Sequence, residues 1–197
     1  MNIKYLDKLI LKLKELGLYD LELFNYAKEI IEYKTLNKNE VFIEENKQNN
    51  KIGLLFNGTM LATYISEKGN IEVSKIYSFI NGNTIVSNHE SYFFNKYSTE
   101  TIIAIEQSNL IVIKKDDLNN LLIKFPSLQK IVLELAEKSY IKAMKRIREL
   151  QSLTAKERIF NYYSKYPELF NIVNKKDLAS YLNINRNDFT KFLKEIS

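Results

Sequence analysis

The chain of 197 residues carries 29 Lys and Arg against 24 Asp and Glu, with 45% hydrophobic residues, a globular composition that excludes a disordered polar chain. It has no cysteine, which excludes a disulfide framework, a thiolate nucleophile, a cysteine zinc site and an iron–sulfur cluster. Its one histidine, His89, reads as a surface or hydrogen-bonded residue and not as a haem or metal ligand.

Residues 5–31 have helical spacing: Leu6, Leu9, Ile10, Leu13 and Leu16 share a face, Gly17 ends the first helix, and Asp20 caps a second carrying Leu23, Phe24, Ala27 and Ile31. Lys8, Lys12, Lys14 and Glu15 interrupt the apolar run, and no stretch reaches the roughly 18 apolar residues of a membrane span. A cytoplasmic protein without a membrane anchor is expected.

From Val41 the period shortens. The β-prone runs are Val41–Ile43, Ile52–Phe56, Leu61–Ile65, Ile71–Ile76, Thr101–Ile105 and Leu110–Ile113, separated by Asn57-Gly58, Lys68 to Asn70, Asn81 to Asn83, and Ser108-Asn109. Asn57-Gly58 has the composition of a two-residue hairpin turn. An antiparallel unit, barrel or jelly roll, is predicted. The aromatic residues Tyr92, Phe93 and Phe94 fall within it and read as core packing.

After Pro126 a long helix is predicted from about Phe125 to Gln151. Leu128, Ile131, Val132, Leu135, Ala136, Ala143, Ile147 and Leu150 form its apolar stripe, interrupted near 138–142, and Lys142, Lys145, Arg146 and Arg148 lie outside it. Such a stripe needs a partner, either the β-unit or a second copy of the helix.

Thr154 and Glu157 have the spacing of a capping box, which starts a helix running to about Tyr166. Ile172-Val173 reads as a short strand, and Asn174 caps the next helix. Leu178, Ala179 and Leu182 then give one short apolar face, Asn183 opens a turn, Asn185 caps a last helix, and Phe189, Phe192 and Leu193 face inward. A helix-turn-helix requires this order: a small residue where the helices touch, and a residue tolerant of left-handed backbone in the turn. Arg186, Asn187, Thr190, Lys191 and Lys194 remain on the outer face of the last helix. Arg and Asn suit guanine and adenine edges, and Thr and Lys suit edges and phosphates. Arg186 and Asn187, at the helix start, are the expected base readers; Lys175 and Lys176 are expected to contact DNA as well. Charge is segregated accordingly: residues 138–197 carry 13 Lys and Arg against 6 Asp and Glu, whereas residues 1–137 carry 16 against 18. Such a basic end is the electrostatic footprint of a polyanion binder.

A β-unit, a long helix and a helix-turn-helix in this order resemble the Crp/Fnr regulators, the family of the cyclic AMP receptor protein. The resemblance is strongest at Glu157-Arg158 and from Asp177 to Lys194. It implies an N-terminal β-roll or jelly roll of the cyclic-nucleotide-binding type, a dimerisation helix and a winged-helix-like C-terminal domain, an α+β fold overall. Since the sequence stops at Ser197, the C-terminal wing is expected to be missing. The family's Glu and Arg in the recognition helix are replaced by Asn187 and Lys191, which implies a different target site. The family's phosphate cassette needs an acid and an Arg, yet those positions fall near Ser87, Asn88 and Ser98; the helix positions facing the purine fall near Ala143 and Met144. Cyclic AMP control, and any cofactor or metal, are therefore not expected.

The expected organisation is an effector-type domain over 1–124, a dimerisation helix over 125–151 and a DNA-binding domain over 152–197. The expected partners are double-stranded DNA, a second copy of the chain and, through the resemblance, RNA polymerase, with the effector left open. A competing reading is a ligand-sensing or protein-interaction module whose β-roll is the working part. An enzyme is the weakest reading, for no paired carboxylates, phosphate-cradling glycine loop or nucleophile elbow is present.

Overall fold

Asp20 accepts the amide protons of Glu22 and Leu23 and so starts α1, Leu21–Ile30. The structure, a computed structural model, describes residues 20–82 and 84–196; the helix expected over Leu6 to Leu16 lies outside them. The chain leaves α1 directly into β1, Ile31–Leu36, so Ile31 belongs to a strand and not to the helix expected to include it.

The strands that follow are β2 Val41–Ile43, β3 Lys51–Asn57, β4 Thr59–Ile65, β5 Ile71–Ser78, β6 Ile85–Val86, β7 Thr101–Ala104 and β8 Ser108–Lys114, with α2, His89–Phe94, between β6 and β7. Among the described residues they form two four-stranded antiparallel sheets, ordered β1-β8-β3-β6 and β2-β7-β4-β5. Leu36, Phe42, Leu55, Met60, Tyr77 and Ile102 are buried in the core that these strands build. This is the expected jelly-roll-like unit.

Two turn expectations are corrected. Asn57-Gly58 is not a hairpin: β3 and β4 lie in different sheets, and Asn57 pairs with Asn109 of β8. Gly58 alone has positive φ, +96°, whereas the expected turn needs two such residues. A Cβ on Gly58 would lie 2.6 Å from the Gln107 carbonyl oxygen, so only glycine lets the chain step from one sheet to the other here. Ser108-Asn109 is likewise no separator, because both residues lie inside β8. The hairpin of this region joins β4 to β5 through Gly69, with φ of +76°.

After β8 come α3, Lys115–Lys124, and α4, Ser127–Ser152. Leu23 and Phe24 of α1 cluster with Leu121, Phe125 and Leu128, which fixes the root of α4. The 26 residues of α4 extend roughly 39 Å at 1.5 Å per residue. Beyond its root the helix is sparsely covered: Leu133, Tyr140, Ile141, Met144 and Ile147 are exposed. The C-terminal head comprises α5 Ala155–Lys165, α6 Leu169–Ile172, α7 Lys175–Tyr181 and α8 Arg186–Ile196. Residue 172 thus ends a helical turn, and Val173 follows it as a buried, extended cap; the short strand expected there does not form. The bonds of Val173 N to Leu169 O at 2.8 Å and Asn171 N to Glu168 O at 3.1 Å keep this segment coiled.

The head does not stand apart from the β-unit. Leu61, Val73 and Ile76 of the second sheet share one buried cluster with Ile159, Leu178 and Phe189 of the head. The second sheet is therefore buried on both faces, with Met60 and Ala62 turned into the first core and Leu61 into the shared one.

Candidate nucleic-acid interface

The head is built by local capping. Thr154 and Glu157 complete the reciprocal box at the start of α5, and Asn174 accepts from the Asp177 amide at 2.9 Å to start α7. Ala179 is 2% exposed, the small residue expected where the two helices touch. At the end of α7, Ile184 N reaches Ala179 O and Asn183 N reaches Ser180 O, each at 2.9 Å. These two bonds define a Schellman motif, whose left-handed residue is Asn183 with φ of +54°. Asn185 then accepts from the Asn187 amide at 2.8 Å and starts α8, while Phe189 is fully buried against the head core.

Arg158 secures this turn, a role that its place beside Glu157 in the sequence does not reveal. Its guanidinium donates to the carbonyls of Leu182 and Asn183 at 2.9 Å each and to that of Leu153 at 2.7 Å. A rigid fork on three acceptors is what arginine supplies and lysine does not. Lys156 and Glu195 meet at 2.7 Å between α5 and α8, a further tie at the surface.

On the far face of α8, Arg186, Asn187, Lys191 and Lys194 are exposed. Thr190 is half-buried, and its hydroxyl donates back to the Arg186 carbonyl at 3.0 Å. Its oxygen keeps accepting capacity, but its proton is engaged. Asp188, outside the expected contact set, is exposed in the first turn of the same helix and adds a negative charge beside Arg186. Lys175 and Lys176 are exposed in the first turn of α7. The site residues therefore fall on one small head, on two successive helices.

The three cassette positions are elsewhere, buried in the β-unit, and their polar atoms are engaged within the chain. Asn88 caps α2 by accepting from Ser91 N at 2.9 Å and donates to Glu100 at 3.2 Å. Ser87 Oγ meets Asn49 Nδ2 at 3.3 Å, and Ser98 Oγ donates to the Glu100 carbonyl at 2.7 Å. Ala143 and Met144 are exposed on α4. His89 follows Asn88, with its ring 6.1 Å from that of Phe93; burial, and then the Lys75 charge, lower its pKa. No group of three or more metal-ligating side chains occurs among the described residues, and no described helix is long and apolar enough to cross a membrane.

No family model matches the chain, and no curated protein matches it in sequence. Solved structures do match in shape. FixK2 from Bradyrhizobium japonicum superposes with a TM-score of 0.69 at 11% identity, covering 84% of each chain. CLP from Xanthomonas campestris, described as a c-di-GMP responsive global regulator, gives 0.68 at 13% identity over 89% of this chain and 91% of that one. A Eubacterium rectale protein assigned to the Crp/Fnr family of transcriptional regulators gives 0.69 at 12% identity over 90% and 83%. The chain has the fold of the Crp/Fnr regulators.

Proposed function

We propose that the chain is a sequence-specific, DNA-binding transcription regulator and not an enzyme. The observation that carries this reading is the outer face of α8, where Arg186, Asn187 and Lys191 are exposed on a helix whose entry is fixed by the Asn183 turn and the Arg158 fork. Arg and Asn at the start of a recognition helix meet base edges, and the lysines of α7 and α8 meet phosphates. The fold shared with described regulators and the excess positive charge of residues 138–197 support the same reading.

The working form is a homodimer joined along α4. Its exposed Leu133, Ile141, Met144 and Ile147 form an apolar surface that one copy leaves to solvent, and a second copy of the same helix covers it in the simplest symmetric way. Two heads then enter successive major grooves about 34 Å apart and read a pseudo-palindrome. Cyclic AMP is not the controlling ligand, because the buried polar groups at Ser87, Asn88 and Ser98 are spent on neighbours and offer no cation to a phosphate. The protein works in the cytoplasm, and RNA polymerase is the partner through which such a regulator acts.

Selection of a random duplex library with the purified protein, with and without cyclic AMP, tests output and input together. A two-fold symmetric motif unaffected by cyclic AMP is expected. Binding with no sequence preference over bulk competitor at moderate ionic strength overturns the reading, and an effect of cyclic AMP on the motif overturns the part concerning control.

A further inference from the structure

A cavity of about 460 Å³ lies where β5, α4 and the head meet, lined among others by Lys75, Lys142, Arg146, Glu149, Tyr162 and Tyr181. This volume is in the range of small-molecule sites, and its walls come from three parts of the chain distant in sequence. Six cations line it (Lys75, Lys142, Lys145, Arg146, Arg158 and Lys165) against the single acid Glu149.

Most of these cations are held by groups that do not cancel their charge. Arg158 is bound to three carbonyls. Arg146 donates to the Tyr181 carbonyl and stacks on its ring at 3.8 Å. Lys142 donates to the Gly82 carbonyl at 2.8 Å. Lys165 faces the Glu149 carboxylate at 3.6 Å. Lys75 is half-buried and points to the Tyr77 ring at 4.8 Å. Burial lowers its pKa, Glu100 pulls the other way, and the Lys142 ammonium adds a lesser lowering. Cations gathered at a partly desolvated junction repel one another, and an anion placed among them removes that repulsion. Leu150, Leu153 and Leu182 supply apolar wall beside the charges, the usual makeup of a small-molecule site: apolar lining with a few convergent polar groups.

We propose that this cavity binds a small molecule carrying two or more phosphate charges, held by Lys75, Lys142 and Lys145 and bridging the β-unit, the long helix and the head. The inference does not depend on the DNA reading.

Calorimetric titration of the full chain with inorganic pyrophosphate at low ionic strength is the experiment. One site per chain is expected, at least tenfold weaker in the double variant Lys75→Gln, Lys145→Gln and unchanged in Lys38→Gln, which removes a charge from the exposed segment between β1 and β2. The double variant Lys75→Arg, Lys145→Arg keeps the charges and is expected to bind within threefold of the parent, which separates loss of the site from loss of the fold. Absence of binding overturns the proposal. So does equal weakening by Lys38→Gln, which marks a diffuse field, and so does displacement of pyrophosphate by short duplex DNA with parallel loss of DNA affinity in the glutamine variant, which marks a backbone contact.

Discussion

Ser180, in the first helix of the helix-turn-helix, donates its hydroxyl proton to the Glu72 carboxylate on β5 at 2.6 Å. The same oxygen accepts the Val73 amide at 2.7 Å. β5 is an outer strand of its sheet, and outer strands present amides that need a partner. One hydroxyl from the head thus satisfies an amide on the edge of the β-unit.

Ser180→Ala removes both bonds. It is expected to lower the unfolding free energy by about 1.5–3 kcal/mol, the range for a bond to a charged group, and to accelerate hydrogen exchange at Val73. Urea denaturation and exchange measured by NMR check both effects; unchanged protection of Val73 counts against the linkage.

Asn183 tests the turn. Its φ of +54° costs an ordinary L-residue roughly 1–2 kcal/mol but costs glycine nothing. In thermal unfolding Asn183→Gly is expected to match the parent in stability and Asn183→Val to lose about 1–2 kcal/mol.

Arg186 and Lys191 separate reading from grip. Arg186→Ala is expected to cost about 1–3 kcal/mol on the selected site and to relax preference at one base pair. Lys191→Ala is expected to weaken all sequences alike and to reduce the salt slope by about one. Electrophoretic mobility shifts on the selected site and on scrambled duplex, at several salt concentrations, discriminate the two. Uniform loss for Arg186→Ala makes that residue a phosphate contact.

Association along α4 is checked by sedimentation. The parent is expected to be a dimer and Ile141→Glu, Ile147→Glu a monomer, since each carboxylate is buried unpaired in the joined form. The β-unit is expected to keep its fold, because both side chains are exposed within one chain.

Tyr77 contributes to the alkaline limit. It is buried, its hydroxyl donates to the Ser87 carbonyl at 3.0 Å, and burial first, then Glu100, push its pKa well above the ordinary tyrosine value of 10.0. The unfolded chain releases this proton near pH 10 and the folded chain only at higher pH. The contribution is therefore whole below pH 10 and is lost as pH rises from there toward the folded value. Tyr77→Phe is expected to be less stable at pH 7 by about 1 kcal/mol, with a shallower decline between pH 9 and 11. Identical slopes in denaturant titrations overturn this assignment.

The head was legible because its signals are local. Caps at Asn174 and Asn185, a small residue at Ala179 and a left-handed Asn183 each act within four residues, and the types placed there admit few other uses. The β-unit was legible as alternation but not as connectivity. Asn57-Gly58 has hairpin composition, yet the partner of Asn57 is Asn109, a choice made by the two-sheet core and invisible nearby. β1 was hidden because Ile30 passes to Ile31 with no breaker, and β6 because two residues carry no period. α3 starts at Lys114 without a side-chain cap and so sends no start signal. The Ser180 and Arg158 contacts join residues 108 and 25 apart and have no trace in spacing. At 172–173 two β-branched residues suggested a strand, but the Val173 amide turns back to Leu169, and the helical turn prevails over propensity.

The cluster uniting Leu61, Val73 and Ile76 with Leu178 and Phe189 leaves no seam at which the two halves can come apart independently. Heat should then melt strands and head in one calorimetric peak. A methyl group lost at Val73 will be felt in the stability of the head as much as in that of the strands.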